Sequence, residues 1–350
     1  MFDFSGIELK KLVIHKVGNK SLEKGFVLSD KTVDLATSQE LVANLIQFFL
    51  KPFKDMPAYQ FTHPAEIEMN EVYKMAAEMF ASSRSFQSRS RDLCKLLYEL
   101  SVHPKIKSGE LYVAYFDGCS WNGKATDVIG LFKSENRETF LKVEQSGNDF
   151  EISLQDGTSL NKLDKGCLIL NEERENGFIV YCIDTAASAN NEAQYWKQQF
   201  LNLRAMNDSY NNTSAVLKLT KQFVAGVAGD EKEGVKTLQA ELLNRSMNYF
   251  DENTNFNARD YERKVFRDES MIRSFQQYGS MYITQNDSDI AETFPISDHA
   301  VKKQSKIFKS VLKLDKNFHI YIHGNTDLIE RGADPVTGKK FYKIYFEQEA

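Results

Sequence analysis

The residues best suited to chemistry in this chain are lysines that recur near the end of the sequence. Lys302, Lys306, Lys309 and Lys313 follow one another at steps of four, three and four residues. This spacing places all four on one face of an α-helix, which we predict from about Ser297 to Leu312. A row of ammonium groups on one helix face can contact successive phosphates of a nucleic acid.

The charge of this segment is opposite to that of the whole chain. Between Val301 and Phe318 six lysines accompany one acid, a local charge of +5 in a protein whose formal charge is −5. A solvated helix face is the common explanation of such a row, and a phosphate-contacting surface is the alternative. The candidate contacts under the second explanation are Lys302, Lys303, Lys306, Lys309, Lys313 and Lys316.

A second, weaker cationic row lies earlier in the chain. Arg84, Arg91 and Lys95 line one face of a helix predicted from Ser85 to Val102, with serines between them whose hydroxyls can reach phosphate oxygens. A polar helix face is again the ordinary explanation. Neither row contains the mixture of side chains that reads base edges, so we expect any DNA contact to be independent of sequence.

One glycine and lysine pattern imitates a phosphate-binding loop. Residues 118–124 read G-C-S-W-N-G-K. Ala125 follows, however, where a hydroxyl would bind magnesium, and the chain continues into a strand instead of a helix. We therefore interpret this segment as a β-hairpin turn.

Metal and nuclease motifs also fail. His319 and His323 lie in a predicted strand, where four residues at about 3.3 Å each separate them by roughly 13 Å, too far for one zinc ion. The E-x-K sequences at Glu8 and Glu262 look incidental, and the four cysteines form no C-x-x-C pair. We expect no catalytic residue, no cofactor and no metal.

Composition indicates an intracellular protein with real hydrophobic cores. The 350 residues are 42% hydrophobic, enough for two or three units. No secretory signal follows Met1, and the apolar stretch Leu41–Leu50 is too short for a membrane span, which needs about 20 residues. We expect a cytoplasmic protein that does not enter membranes, with Cys94, Cys119, Cys167 and Cys182 as reduced core thiols.

The periodicity predicts an α+β fold. We expect an α+β domain over 1–200 with a mostly antiparallel sheet, a helical region over 201–292, and a basic helix with a three-stranded antiparallel sheet over 293–350. In the first part, helices should begin at Thr37, through a capping box with Glu40, and at Pro64. Strands are predicted at residues 7–17, 25–28, 111–116, 127–133, 139–143, 166–170 and 178–183.

The helical region carries three further predicted helices, Ser214–Val227, Gly234–Phe250 and Arg259–Gln277. The closing strands are predicted near residues 318–323, 327–331 and 341–346. The Asn176-Gly177 pair is a strong hairpin signal, and it places Cys167 and Cys182 on neighbouring strands.

Several segments together resemble the bacterial nucleoid-associated protein family. The resemblance runs in order through nearly the whole chain, and it implies a protein of the nucleoid that binds double-stranded DNA, with no recognised catalytic residue or cofactor. The segments are I-E-L-K-K-L-V-I-H from Ile7, K-I-K-S-G-E-L-Y-V-A-Y-F from Lys105, I-G-L-F-K-S-E from Ile129, T-F-L-K-V from Thr139, Y-W-K-Q-Q-F from Tyr195, F-P-I-S-D-H-A-V-K-K from Phe294 and L-D-K-N-F-H-I from Leu314.

The leading hypothesis is a non-enzymatic, nucleoid-associated DNA-binding protein. An adaptor that a DNA-bound partner recruits to the nucleoid is the runner-up, since the net charge is acidic, and a nucleic-acid hydrolase is third. Further candidate partners are nucleoid or DNA-topology proteins and a second copy of the chain.

Overall fold

Apolar runs in the first half of the chain form most of a sheet that is buried on both faces. The computed structural model describes residues 2–54, 56–185, 195–226, 235–286, 289–305, 310–314, 318–322, 328–346 and 348. The chain divides into two units, Met1–Met206 and Asn207–Ala350. Helices and antiparallel sheets are both present, which confirms the predicted α+β class.

One large antiparallel sheet forms the centre of the first unit. The strands of this unit are β1 (Phe2–Asp3), β2 (Glu8–Val17), β3 (Ala58–Phe61), β4 (Gly109–Trp121), β5 (Lys124–Ser134), β6 (Glu138–Ser146), β7 (Asp149–Gly157), β8 (Lys165–Leu170), β9 (Ile179–Asp184) and β10 (Leu203–Ala205). Across the described strands the order in the sheet is β1-β4-β5-β8-β9-β3-β10, and β2 also pairs with β4. Strands β6 and β7 pair with each other in a separate hairpin, which we call the β-arm.

Helices cover both faces of this sheet. Helix α1 (Gln39–Leu50) packs on one face, where the Phe49 ring stacks on Phe132 of β5 with centroids 4.3 Å apart. Helices α2 (Glu71–Ala81) and α3 (Phe86–Leu100) cover the other face, together with the π-helix Tyr195–Phe200. Because both faces are covered, the central strands contain apolar residues at nearly every position.

Side-chain caps, which the sequence pattern placed wrongly, set the first two helix starts. Ser38, not Thr37, accepts the hydrogen bond from the Leu41 N–H that begins α1. Asn70 caps α2 through the Tyr73 N–H, so the helix begins at Glu71, seven residues after the start predicted at Pro64. The predicted strand over residues 25–28 reduces to a single bridge between Val27 and Lys16.

Two predicted hairpins are confirmed. Trp121 pairs with Lys124, and the intervening Asn122 and Gly123 both adopt positive φ angles of 51° and 79°, so residues 118–124 form a tight hairpin and not a phosphate loop. In the second hairpin, Cys167 lies directly opposite Cys182. Both thiols are free and buried, and burial raises their pKa, to about 12 for Cys182.

The second unit is mainly helical. The helix predicted from Arg259 to Gln277 is two helices, because Arg267 adopts a left-handed φ of 60° and Asp268 then accepts from the Met271 N–H. The helices are α4 (Ser209–Gly226), α5 (Val235–Glu252), α6 (Ala258–Phe266), α7 (Glu269–Asn286) and α8 (Asp298–Ser305), and the short strands β11 (Asn255–Asn257) and β12 (Thr293–Pro295) pair with each other.

A buried tyrosine ties this unit together. The Tyr261 side chain of α6 is fully buried, and its hydroxyl lies 2.7 Å from both Thr220 Oγ1 of α4 and Ser246 Oγ of α5. The aromatic rings of Phe250, Phe256 and Phe294 stack beside it. Three helices therefore share one hydrogen-bonded centre within an apolar core.

The closing segment differs from the predicted three-stranded sheet. Its described strands form two hairpins, one from β13 (Ser310–Leu314) and β14 (Phe318–Ile322), the other from β15 (Ile329–Ala333) and β16 (Lys340–Ile344). Strand β13 was missed because residues 310–314 were assigned to a helix, whereas β14, β15 and β16 lie close to the three predicted strands.

Long-range contacts attach α3 to strand β2. His15 of β2 is buried, its Nε2 lies 3.1 Å from Ser90 Oγ of α3, and its Nδ1 accepts from the Ser29 N–H at 3.0 Å. Gln87 of α3 donates to the Ser29 carbonyl oxygen. A neutral imidazole is needed here, because only a neutral ring nitrogen can accept a hydrogen bond.

We expect the first unit to lose stability as the pH falls from about 6.5 to about 4. Burial, with a contribution from nearby Arg91, lowers the pKa of His15 from 6.5 to about 4. The unfolded chain therefore takes up a proton that the folded chain excludes, so this contribution is complete above pH 6.5 and is lost below it, by about 3 kcal/mol at pH 4. Urea unfolding at a series of pH values measures the loss.

The control for this prediction is His15→Gln, which keeps a polar side chain and removes the titration. Carboxylates titrate equally in both proteins, so the difference between them isolates the histidine. Identical pH dependence of the unfolding free energy in both would contradict the prediction.

Candidate nucleic-acid interface

Helix α8 exposes two of the lysines that were predicted to contact phosphates. Ala300, Val301 and Gln304 are buried, whereas Lys302 and Lys303 are exposed. The buried positions recur at helical spacing and fix the rotation of the helix about its axis. Both lysine side chains are consequently in contact with solvent.

The prediction of four lysines in a row on one helix is wrong, because α8 as the structure describes it ends at Ser305. Lys313 lies in β13, opposite His319 of β14. Residues 310–314 gain ladder hydrogen bonds from this hairpin partner, and helical spacing alone could not reveal that competition. Lys306, Lys309 and Lys316 lie outside the described residues.

An aromatic ring of α4 lies beside the exposed lysines. Lys303 Nζ is 6.0 Å from the ring centroid of Tyr210, and the His299 ring lies 5.8 Å from the same ring. The Ser297 N–H just before α8 donates to Thr213 Oγ1 of α4 at 3.1 Å. Helix α4 thus holds the start of α8 and one of its lysines in place.

The second predicted row is brought together around α3. Arg84 is exposed in the turn before the helix, and Arg91 and Lys95, four residues apart, lie on the same side of the helix. The structure confirms the predicted helix, although it begins after Arg84. The binding role of these residues stays a prediction.

Acidic partners neutralise much of this second row. Arg91 pairs with Asp30 at 3.1 Å, and Lys95 lies 3.6 Å from Asp92. Arg89, also on α3, pairs with Asp92 and Glu78. Exposed pairs of this kind contribute about 0–1 kcal/mol each, so a phosphate can replace the carboxylate at little cost.

Lys11 is a cation at this site that the sequence analysis missed. Its Nζ donates to the Ser83 carbonyl oxygen at 2.9 Å and lies 5.5 Å from the Phe86 ring centroid. A cavity of about 180 Å³ adjoins Lys11, Ser83 and Phe86. Lys11 is 72 residues away from Ser83 in sequence, so only the fold could reveal their contact.

Two buried lysines belong to a cluster of paired charges in the first unit. Lys133 is fully buried, and its Nζ donates to Glu135 Oε1 at 2.7 Å, to the Lys107 carbonyl oxygen at 2.7 Å and to Tyr195 Oη at 3.1 Å. Tyr195 in turn donates to Glu135 at 2.8 Å. Burial lowers the pKa of Lys133 and raises that of Tyr195.

The second buried lysine extends the cluster across the sheet. Lys165 Nζ lies 2.8 Å from Asp184 Oδ1 and 5.1 Å from the Tyr195 ring centroid. Asp164 accepts the Glu135 N–H at 2.7 Å. These charges are paired and shielded from water, so we interpret the cluster as the link between the sheet and the π-helix and not as a reactive centre.

One cavity of the second unit has a lining that does not suit a phosphate. It has a volume of about 690 Å³, and its lining includes Arg259, Glu262 and Glu292. Burial raises the pKa of Glu262, which accepts a hydrogen bond from Gln276 at 2.7 Å. Two carboxylates beside one guanidinium disfavour an anionic ligand.

Metal chemistry finds no support in the described part of the chain. There, no three histidine, cysteine or carboxylate side chains are grouped so as to hold a metal ion. His319 lies on strand β14 as predicted, whereas His323 is outside the described residues. Nor does any described helix have the length and apolar character for crossing a bilayer.

We expect Lys133→Ala to destabilise the first unit by about 3 kcal/mol, because it leaves the Glu135 carboxylate buried without its cationic partner. The exposed Lys142→Ala is the matched control and should change stability by less than about 0.5 kcal/mol. Denaturant unfolding, followed by the fluorescence of the buried Trp196, measures both. Equal stabilities of the two variants would contradict the interpretation of the cluster as a structural link.

Comparison with protein families gives the assignment that the two cationic surfaces alone do not. A family model described as Nucleoid-associated protein YejK matches residues 13–337, and a comparison with curated proteins finds no match. The family match covers most of both units and confirms the resemblance found in the separate sequence segments. This chain therefore belongs to the family of nucleoid-associated proteins that the YejK model describes.

Proposed function

We propose that this protein binds double-stranded DNA without catalysing a reaction, chiefly through contacts to phosphates. The primary surface is the lysine-rich segment that begins with α8, and the turn and helix around Arg84, Arg91 and Lys95 form the secondary surface. Family membership supports a role at the nucleoid. The proposal that DNA is bound through its phosphates rests on the charge and the exposure of the lysine and arginine side chains on these two surfaces.

The observation that carries the proposal is a local reversal of charge in the sequence, which begins with two exposed lysines. Residues Val301–Phe318 hold a charge of +5 in a chain of −5. Lys302 and Lys303 of this segment are exposed on a helix whose opposite side is buried. Ammonium groups held in this way displace counterions from DNA, which is the main source of affinity in sequence-independent binding.

The composition of this surface favours backbone contact over base recognition. Lysine is a compact point charge, while recognition of bases relies on the flat, two-pronged geometry of arginine, asparagine or glutamine. Between Val301 and Phe318 the sequence contains no arginine, a single asparagine, Asn317, and a single glutamine, Gln304, which is buried. We therefore expect similar affinity for unrelated DNA sequences.

The surface around α3 should contribute less. Its arginine and lysine side chains are already paired with Asp30 and Asp92, so DNA must compete with these carboxylates. The exchange costs little for exposed pairs, but it reduces the net gain from each phosphate. Lys11 and Arg84 are the additional cations near the start of the helix.

We expect the double variant Lys302→Glu, Lys303→Glu to bind DNA roughly 10- to 100-fold more weakly near 0.1 M salt. The slope of log affinity against log salt should also become less steep by about two, because two phosphate contacts are lost. Fluorescence anisotropy of a labelled duplex, titrated at several salt concentrations, measures both quantities. Two duplexes of unrelated sequence should give the same result.

The matched control is Lys339→Glu, Lys340→Glu. These two lysines are also adjacent, exposed and in the second unit, and the change in net charge is identical. If both variants weaken binding equally, net charge and not the α8 surface determines affinity. If the wild-type protein fails to bind even at low salt, the adaptor hypothesis replaces this one, and a pull-down that survives nuclease digestion should then recover the DNA-bound partner.

The secondary surface has its own test. Arg84→Glu with Lys95→Glu should lower affinity by a smaller factor, about 3- to 10-fold, in the same anisotropy assay. Lys51→Glu with Lys54→Glu is the control. These exposed lysines follow α1, which covers the opposite face of the sheet from α3. An affinity equal to that of the control would remove α3 from the interface.

A further inference from the structure

The β-arm is a hairpin without cover. Strands β6 and β7 form nine consecutive pairs, from Glu138 opposite Gly157 to Ser146 opposite Asp149. Among the described strands they pair only with each other. An isolated two-stranded hairpin is marginally stable in water, so a covering partner would add substantially to its stability.

One face of the β-arm is apolar. Residues directly opposite each other in an antiparallel pair project to the same face, and here Leu141 is opposite Leu154 and Val143 is opposite Ile152. Phe150 continues the same face. These five side chains are between 55% and 73% exposed, although large apolar residues are normally buried.

The apolar face is large enough for a specific interface. Its five side chains leave on the order of 500 Å² exposed, near the upper end for the largest apolar patch on a typical monomer. Two such faces packed together would bury about 1,000 Å², the lower bound for a specific protein interface. Neighbouring polar side chains such as Thr139 and Gln145 extend this area.

The charge of the β-arm excludes DNA as the partner. Residues 138–157 contain five acids and one lysine, a net charge of −4. Glu138, Glu144, Asp149 and Glu151 belong to the face opposite the apolar one, and Asp156 lies at the base beside Thr139. The centre of the apolar face is therefore free of charge.

We propose that the apolar face of the β-arm packs against the same face of a second copy of this chain. The partner must offer an apolar strip two strands wide with no charge at its centre, and the β-arm itself has this shape and chemistry. A two-fold axis brings the identical faces of two copies together, and this is the symmetry of most homodimers. The acids of both copies then remain in water on the outer faces.

The packing expected is that of two short sheets about 10 Å apart. Its centre is the Val143 and Ile152 pair, which lies midway along the apolar strip. Lys142 and Ser153 are the neighbouring residues on the outer face and remain exposed in the dimer. The inference is independent of the proposed DNA binding, because it can be tested without DNA.

The first experiment measures the mass of the full chain in solution by light scattering and sedimentation. At tens of micromolar, the wild-type protein should have twice the chain mass of 40.1 kDa. Ile152→Arg places an unpaired charge at the centre of the interface and should weaken dimerisation at least about 100-fold. Ser153→Arg adds the same charge on the outer face and should leave the dimer unchanged.

A second experiment locates the interface directly. Val143→Cys should be joined across two copies by a short bis-maleimide, whose reach matches the spacing of packed sheets, while Lys142→Cys should give far less of the product. Background reaction should be low, because Cys94, Cys119, Cys167 and Cys182 are all buried.

Three outcomes would overturn the proposal. One is a monomeric wild-type protein, even if the β-arm captures some other protein. Another is a dimer that Ile152→Arg leaves intact, and the third is equal cross-linking from both faces. Because Ile152 is exposed and outside the three buried cores, its variant should keep the circular dichroism spectrum of the wild type, which separates a lost interface from a misfolded chain.

Discussion

The need to bury both faces of the central sheet determines most of the first unit. The strands carry apolar side chains on each face, and α1 covers one face while α2, α3 and the π-helix cover the other. This packing fixes which side of α3 meets solvent, and so it places Arg91 and Lys95 in water. The same constraint buries Lys133 and Lys165 in the sheet, where each requires a carboxylate partner.

The sequence predicted helices and strands correctly where the local residue pattern and the tertiary packing favour the same structure. The long strands β4, β5, β8 and β9 and helix α3 were predicted within a few residues, because their apolar periodicity reflects the same core that stabilises them. The hairpin turn over residues 118–124 was predicted because a strand precedes it and another follows it, and in the structure Asn122 and Gly123 adopt successive positive φ angles. Family resemblance supplied the nucleoid assignment, which no local pattern contains.

The sequence failed where distant residues decide the outcome. Residues 310–314 fit a helical period, but pairing with residues 318–322 makes them a strand. Of the candidate site, exposure of Lys302 and Lys303 and the grouping of the α3 cations could be predicted. The contacts of Lys11 with Ser83 and of Arg91 with Asp30 could not, because they join residues more than 60 positions apart. Strand β7 was missed although Gly147-Asn148 is a local hairpin signal and Phe150, Ile152 and Leu154 alternate with polar residues.

Core packing constrains amino-acid substitutions much less in the β-arm than in the sheet from which the arm extends. No side chain of residues 138–157 belongs to any of the three buried cores, whereas every residue of β8 is buried. A substitution in β8 must first satisfy the packing of two layers of helices. A substitution in the β-arm meets no such requirement, so selection there acts through whatever the arm contacts. Changes in partner can therefore accumulate in the arm while the scaffold that carries the cationic α3 surface stays the same.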